Sequence, residues 1–426
     1  MKKVGFIIFL CLAVAPLATS QTTSGALWQE TFDVVWRTVK EKHYDPKFNG
    51  VDWDKVRAAY HPRVSEVKSE QELYALLQQM IGELGQSHFN IIPREALVED
   101  KKEEPSSGTI GVEVKHVDDL ALITQVEENS PAARAGLRAG FAVKQIDQTP
   151  VDQIVERLSK SKRSPELTRL LISRSVAARL NGRPQTSVRV TYLDERDQAR
   201  EIVVERVPVR GEMSQPLGNF PGQYPEFEAK RLPSGIGYIR FNVFAISLME
   251  KVRQAIRSMS DAPGIIIDLR GNPGGVGVMA NGMAGLLHSK QASLGTMRLR
   301  TGHMNFAVFP QPEPYPGPVA ILIDNGSAST SEIFAAGMQE LGRAVVVGER
   351  SAGAALPSVF LKLPTGALFQ YAVADFKTPK GVLIEGRGVQ PDIEVKLNRR
   401  ELLGGHDSQL DRAVEQIQKK IVGSRQ

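Results

Sequence analysis

From Gly235 onward the sequence alternates short, wholly apolar runs with stretches of helical periodicity, and this limits the fold more than any other feature. Ile265-Ile-Ile-Asp268 and Val319-Ala-Ile-Leu-Ile323 carry no polar face. Strands of that kind must be covered on both sides, which sheets achieve when helices cross over between parallel strands. Leu248–Met259, Gly277–Leu287 and Ser329–Leu341 can supply those helices, and Ile236–Phe241, Ala344–Val347 and Leu368–Ala374 read as further strands. The spacing predicts a largely parallel α/β core over 231–401 and a C-terminal helix over 402–426.

A chain of 426 residues is too long for one such core, so two or three domains are expected. Residues 26–45 and 69–84 place apolar side chains at helical spacing, the second opened by Ser69 with Glu72 three residues on, a capping-box pattern. Together they make a helical region over 21–104, in which Gln86–Ile92 follows Gly85 as a strand. Lys101–Ser107 and 209–230 read as linkers. Between them, over 105–208, short β-type runs surround Asn129–Gly140, which has a Ser-Pro helix start and glycine stops. That order resembles a permuted PDZ domain, although Phe141 and Ala142 follow Gly140 where an aspartate is usual. The resemblance implies a peptide site at the sheet edge, with the loop Gly108-Thr109-Ile110-Gly111 offering N–H groups to a terminal carboxylate.

The first twenty residues form a segment apart: Lys2 and Lys3, the apolar run Val4–Val14, then Ala18-Thr19-Ser20 with small residues at the cleavage positions. This is a signal-peptide pattern and predicts export to the periplasm or outside the cell. The apolar run is shorter than the roughly 18 residues a stable membrane span needs. Cys11 is the one cysteine and lies inside this segment, so no disulfide or cysteine nucleophile is expected in the mature chain. Net charge is +5 with Lys and Arg dispersed among Asp and Glu, which argues against nucleic acid as a partner. The seven histidines show no metal-ligand spacing, so neither metal nor cofactor is expected.

Two motifs could carry chemistry. Asp268-Leu-Arg-Gly-Asn-Pro-Gly-Gly275 joins a buried strand to a helix, and its glycines can aim N–H groups at an anion or serve only as a tight turn. Asp324-Asn-Gly-Ser-Ala-Ser-Thr-Ser-Glu332 also joins strand to helix, as a nucleophile elbow does, though an N-cap serine cluster would read the same way. Taken together, and followed by Gln339–Glu349, they resemble the C-terminal processing (tail-specific) peptidase family over about 108 to 395. The resemblance implies a crotonase/ClpP-like protease core with Ser329, the middle serine of Ser-x-Ser-x-Ser, as nucleophile.

One departure redirects the search for a base. The family's lysine position is Ala354 here, in Gly348-Glu-Arg-Ser-Ala-Gly-Ala-Ala355. That run is similar instead to the sister branch of the tricorn core and the interphotoreceptor retinoid-binding protein modules. The tricorn-type pattern implies His88 as base, preceded by Ser87, with Glu385 of Glu-Gly-Arg-Gly-Val-Gln-Pro-Asp392 completing a tetrad. Backbone N–H groups of Thr330 and of Gly274 or Gly275 would form the oxyanion hole, and Asp268 with Arg270 would brace the loop. The implied activity is that of a secreted serine endopeptidase acting on protein or peptide substrates, its PDZ-like domain reading their C-termini. Two alternatives stay open: a catalytically silent peptide or apolar-ligand binder, and a Ser-Lys enzyme using Lys377 or Lys380. Homo-oligomerisation is left open as well.

Overall fold

The computed structural model describes residues 19–94, 107–160, 163–217 and 222–423. The signal-peptide pattern, up to residue 18, and most of the first linker lie outside the described residues.

The α/β core is built on a six-stranded sheet in the order Phe227–Arg231, Gly237–Phe241, Ile265–Asp268, Val319–Ile323, Ala344–Gly348, Ile393–Glu394. The first pair is antiparallel and every later pair parallel. Successive strand residues point to opposite faces. Ile265, Ile267, Ile321 and Ile323 therefore pack under the helices Met249–Ser258, Gly277–Leu287 and Thr330–Glu340. Ile266, Ala320, Leu322 and Val347 pack against Ala413 and Ile417 of the C-terminal helix Ser408–Gly423. Both faces are covered, as the uniformly apolar strands require. Strand Phe227–Arg231 begins inside the stretch read from sequence as linker.

The N-terminal helices Thr19–Lys42 and Glu70–Gly82 close over their own core of Phe32, Val35, Leu73, Leu77 and Met80. Ser69 caps the second, its Oγ accepting from Glu72 N at 3.2 Å while Glu72 Oε2 accepts from Lys68 N at 2.9 Å. This region is fixed to the α/β core by a shared sheet: Asn90–Ile92 pairs antiparallel with Leu368–Ala372, and Phe89 packs with Leu356 and Phe369 in one apolar cluster. The strand is shorter than expected. Gln86–Phe89 is a bend, with His88 at φ 60°, because Ser87 turns both its N–H and its hydroxyl towards Glu385 instead of a strand partner.

Residues 107–209 form a β-rich domain whose strands Val112–Val117, Leu120–Val126, Ala142–Ile146, Ser187–Leu193 and Ala199–Glu205 lie in that order in one sheet. Two helices that periodicity did not reveal, Val151–Ser159 and Pro165–Leu180, interrupt it. The second is buried on two sides, which blurs any single stripe. Ile172, Val176 and Leu180 enter the β-domain core, while Leu167 and Leu170 pack on Ala328, Ala352 and Ala354 of the α/β core.

Candidate active site

The site is assembled where two adjacent parallel strands end, the usual position for a site in an open α/β sheet. After Val319–Ile323, Asp324 Oδ1 accepts from Gly271 N and Gly326 N, each at 2.9 Å, and Ser327 Oγ donates to Leu269 O at 2.7 Å. Ala328 N donates to Asn272 O at 3.1 Å. The glycine loop and the serine loop are thereby stitched together. Burial would raise the Asp324 carboxyl, but the ammonium of Lys115, reaching across from the β-domain to pair with it, holds its pKa below the ordinary value.

From Val319 to Met338 every residue is buried except Ser329. Ser329 sits at φ 56°, ψ −119°, a conformation that costs a non-glycine residue about 1–3 kcal/mol and persists only where neighbours impose it. The neighbours are explicit. Ser329 N donates to Ala354 O at 2.8 Å and to Glu332 Oε2 at 3.0 Å. Glu332, fully buried, also accepts from Ser351 Oγ at 2.5 Å, Gly353 N at 2.8 Å and Ala354 N at 2.9 Å. Burial pushes its pKa up to about 7 against those four donors. The Ser-x-x-Glu spacing of Ser329 and Glu332 was open to sequence reasoning as a capping pattern; its second role, holding residues 351–354 against the serine, was not.

Gly274 is irreplaceable for a geometric reason: at φ 96°, a Cβ there would lie 2.7 Å from both Ser329 Cβ and Thr330 N. Its own N–H donates to Asn272 Oδ1 at 2.9 Å, so the oxyanion donor assigned to Gly274 is already engaged. The N–H groups of Gly275 and Thr330 have no partner among the described residues. Thr330 Oγ1 donates to Gly275 O at 2.8 Å and holds the two side by side.

His88, Ser87 and Glu385, 298 residues apart at the extremes, form one hydrogen-bonded chain. Ser87 Oγ lies 2.7 Å from His88 Nδ1 and 2.8 Å from Glu385 Oε2. Glu385 also accepts from Ser87 N at 2.7 Å and Ala355 N at 3.0 Å. The hydroxyl has one proton. An ionised carboxylate only accepts, so Ser87 donates to Glu385 and accepts from Nδ1–H, which leaves Nε2 of His88 with the free lone pair. Burial, and secondarily the nearby charge of Arg174, push the His88 pKa down to about 4, so the ring is neutral at neutral pH. Burial raises the Glu385 pKa despite its donors.

Ser329, His88, Ser87, Thr330, Gly274 and Gly275 all line one cleft of about 560 Å³, Leu217, Phe306 and Phe360 among its apolar walls. No lysine lines it. Lys377 belongs to a separate depression with Arg298 and His303, and Lys380 sits on an exposed turn with its N–H on Glu340. Ala354 does line the cleft, its peptide held between Ser329 N and Glu332. Asp268 and Arg270 stay out of the cleft: Arg270 Nη2 donates to Asp268 Oδ2 at 2.6 Å and to Asp407 Oδ2 at 2.8 Å, clamping the glycine loop to the C-terminal segment.

The loop Gly108–Gly111 departs from its assigned role. Gly108 N donates to Gly182 O at 2.6 Å and Gly111 N to Thr109 Oγ1 at 2.9 Å, so neither is free for a carboxylate. Ile110 is buried in the domain core, and Thr109 alone of the four lines a second cavity of about 490 Å³ between Val112–Val117 and Pro165–Leu180. Among the described residues no group of three or more His, Cys, Asp or Glu side chains could hold a metal ion.

Comparison with known proteins bears on the fold and the kind of domain. Residues 235–395 match the model of Peptidase family S41, and residues 24–82 match that of the Tricorn protease C1 domain. The chain is 25% identical to the carboxyl-terminal-processing protease of Synechocystis sp. over 362 residues, 84% of this chain and 78% of that protein. It is 26% identical to tricorn protease homolog 1 of Streptomyces coelicolor over 91% of this chain, but spans only 35% of that protein. Among solved structures, the photosystem II D1 C-terminal processing protease superposes with a TM-score of 0.59 at 22% identity, covering 87% of this chain and 93% of that one. Mature CPAF does so with a TM-score of 0.69 at 15% identity, covering 94% and 98%. Fold and comparisons define a serine peptidase with an α/β core. Its core over 235–395 is similar to Peptidase family S41, and the region over 24–82 is similar to the Tricorn protease C1 domain.

Proposed function

We propose that this protein is an exported endopeptidase in which Ser329 is the nucleophile and His88 the general base. The observation that carries this reading is the chain Glu385–Ser87–His88, which fixes the imidazole tautomer with Nε2 unprotonated in the cleft Ser329 lines. Ser329 Oγ attacks the scissile carbonyl carbon as its proton passes to His88 Nε2. The carbonyl oxygen becomes an oxyanion, received by the N–H groups of Thr330 and Gly275. Collapse expels the amine, which takes the proton from His88 and leaves an acyl ester on Ser329. Water, deprotonated by the same imidazole, then hydrolyses the ester. Glu385 and Ser87 act through His88: they orient it and stabilise its transient positive charge. Removing one oxyanion donor typically costs about a hundred- to a thousand-fold in rate.

The β-rich domain, as a PDZ-like module, would present substrate C-termini along Val112–Val117, where the second cavity runs between strand and helix. The basic, apolar, small-residue order of the N-terminus supports export to the periplasm or beyond, and no described helix is long and apolar enough to cross a membrane. A homo-oligomer is compatible with this reading. The test is cleavage of an unfolded protein substrate and labelling by a serine-directed phosphonate. Both are expected for the wild type and lost in Ser329→Ala, and His88→Ala should lose cleavage. A wild type that does neither, or a His88→Ala variant that keeps most activity, overturns the assignment.

A further inference from the structure

The catalytic cleft is walled partly by the helix Pro165–Leu180, and the charges it meets there are one-sided. Arg174 of that helix and Arg163 just before it both line the cleft; among the described residues no aspartate or glutamate does. Neither arginine has a hydrogen-bond or ion-pair partner among the described residues. Arg174 keeps solvent access and lines the second cavity as well as the first, and its charge is felt at His88. Burial lowers the pKa of both guanidiniums with no carboxylate to offset it. Several other arginines of this protein are ion-paired, Arg189 with Glu201 and Arg399 with Asp197 for example. A partly desolvated, unpaired cation beside reacting groups is a cost in the free protein that an arriving anion would offset. The planar fork of a guanidinium matches the two oxygens of a carboxylate, the ordinary anion of a peptide.

Resting on the peptidase reading of the same cleft, we infer that Arg174, with Arg163, selects substrates carrying a carboxylate close to the scissile bond. The carboxylate has two sources in a peptide: an Asp or Glu side chain, or the free C-terminus of a short leaving segment.

Matched fluorogenic peptides distinguish them, one pair differing only by Gln against Glu near the cleavage site, another by amide against free carboxylate at a nearby C-terminus. Wild-type kcat/KM is expected to favour the charged member of at least one pair by about ten- to a hundred-fold. Glu preference alone assigns an acidic side-chain subsite; C-terminal preference assigns trimming near the end of the chain. In Arg174→Gln, and in the double variant with Arg163→Gln, that ratio should fall to within about threefold, with partial recovery in Arg174→Lys. The ratio is taken within one variant, so incomplete folding cancels. Removing the cation beside His88 should also raise the imidazole pKa and move the acid limb of the rate profile to higher pH. Anisotropy with labelled peptides and Ser329→Ala protein reads the same preference without turnover. Binding that favours the charged peptides while no peptide is cleaved keeps Arg174 and overturns the peptidase reading. Equal binding and equal cleavage of the charged and neutral members, or a ratio untouched by Arg174→Gln, overturns the selection.

Discussion

Ser87 can fix the tautomer of His88 because a hydroxyl can pass only one proton, and Glu385 decides which way it points. Glu385→Gln keeps the shape but lets an amide N–H donate to Ser87, reversing the chain and placing the imidazole proton on Nε2. We expect kcat to fall by about a hundred- to ten-thousand-fold with little change in KM, measured on a peptide substrate. The pH profile is a second check at this scale. His88 has its pKa lowered from 6.5 to about 4, so the unfolded chain takes up that proton first as pH falls. Its contribution to stability is present above 6.5 and is lost between 6.5 and 4. The acid limb of kcat/KM should accordingly lie near 4; a limb at or above 6.5 would contradict a buried neutral imidazole. Backbone strain supplies a third. Ser329→Gly removes the penalty at φ 56°, so the variant should be inactive yet more stable than Ser329→Ala, by about 1 kcal/mol in denaturant unfolding.

At the scale of elements, the short strand Asn90–Ile92 matters more than its length suggests. Its pairing with Leu368–Ala372 is what carries Ser87 and His88, on the N-terminal region, to a core that begins more than a hundred residues later. Phe369 lies fully buried at that seam. Phe369→Ala should cost about 3–5 kcal/mol. Because the cavity opens at the seam, activity should be lost at temperatures where circular dichroism still reports a folded core. The helix Pro165–Leu180 works on a different seam, joining the β-domain to the serine loop through Leu167 and Leu170.

Across the whole molecule, two ion pairs fasten the β-rich domain to the α/β core along one strand: Glu113 with Arg240, and Lys115 with Asp324. The second is largely out of solvent, and Asp324 also organises the two catalytic loops. Lys115→Met strands a buried carboxylate and should destabilise the protein by about 3–5 kcal/mol, whereas Lys115→Arg retains most of the stability. Equilibrium unfolding of the two variants decides it; equal stabilities would mean that the pair is not a fastening. Docking of the β-domain and integrity of the serine loop thus depend on the same carboxylate.

The local pattern sufficed for what local physics dictates. Apolar runs with no polar face required a sheet covered on both sides, and Ser69 with Glu72 required a helix start. The strand–Gly–Ser–helix order fitted an N-cap cluster as well as a nucleophile elbow; the resemblance of the paired motifs to a peptidase family singled out Ser329, and Ala354 by its chemistry removed the expected lysine. Other features were outside the reach of any window. The bend at Gln86–Phe89 exists because Glu385, nearly three hundred residues away, takes both donors of Ser87. Gly274 N–H was assigned to the oxyanion and is instead held by Asn272; Gly108 and Gly111 were assigned to a ligand and spend their amides at home. The helix Pro165–Leu180 was not read at all, because burial on two sides leaves no stripe. Sequence alone determined the layers of the core, which follow from spacing and residue type, and singled out Ser329 as candidate nucleophile only through a family resemblance. Which amides remain free, which arginines remain unpaired and which way the histidine's proton points were decided only by the tertiary structure, because each depends on a partner supplied by a distant segment.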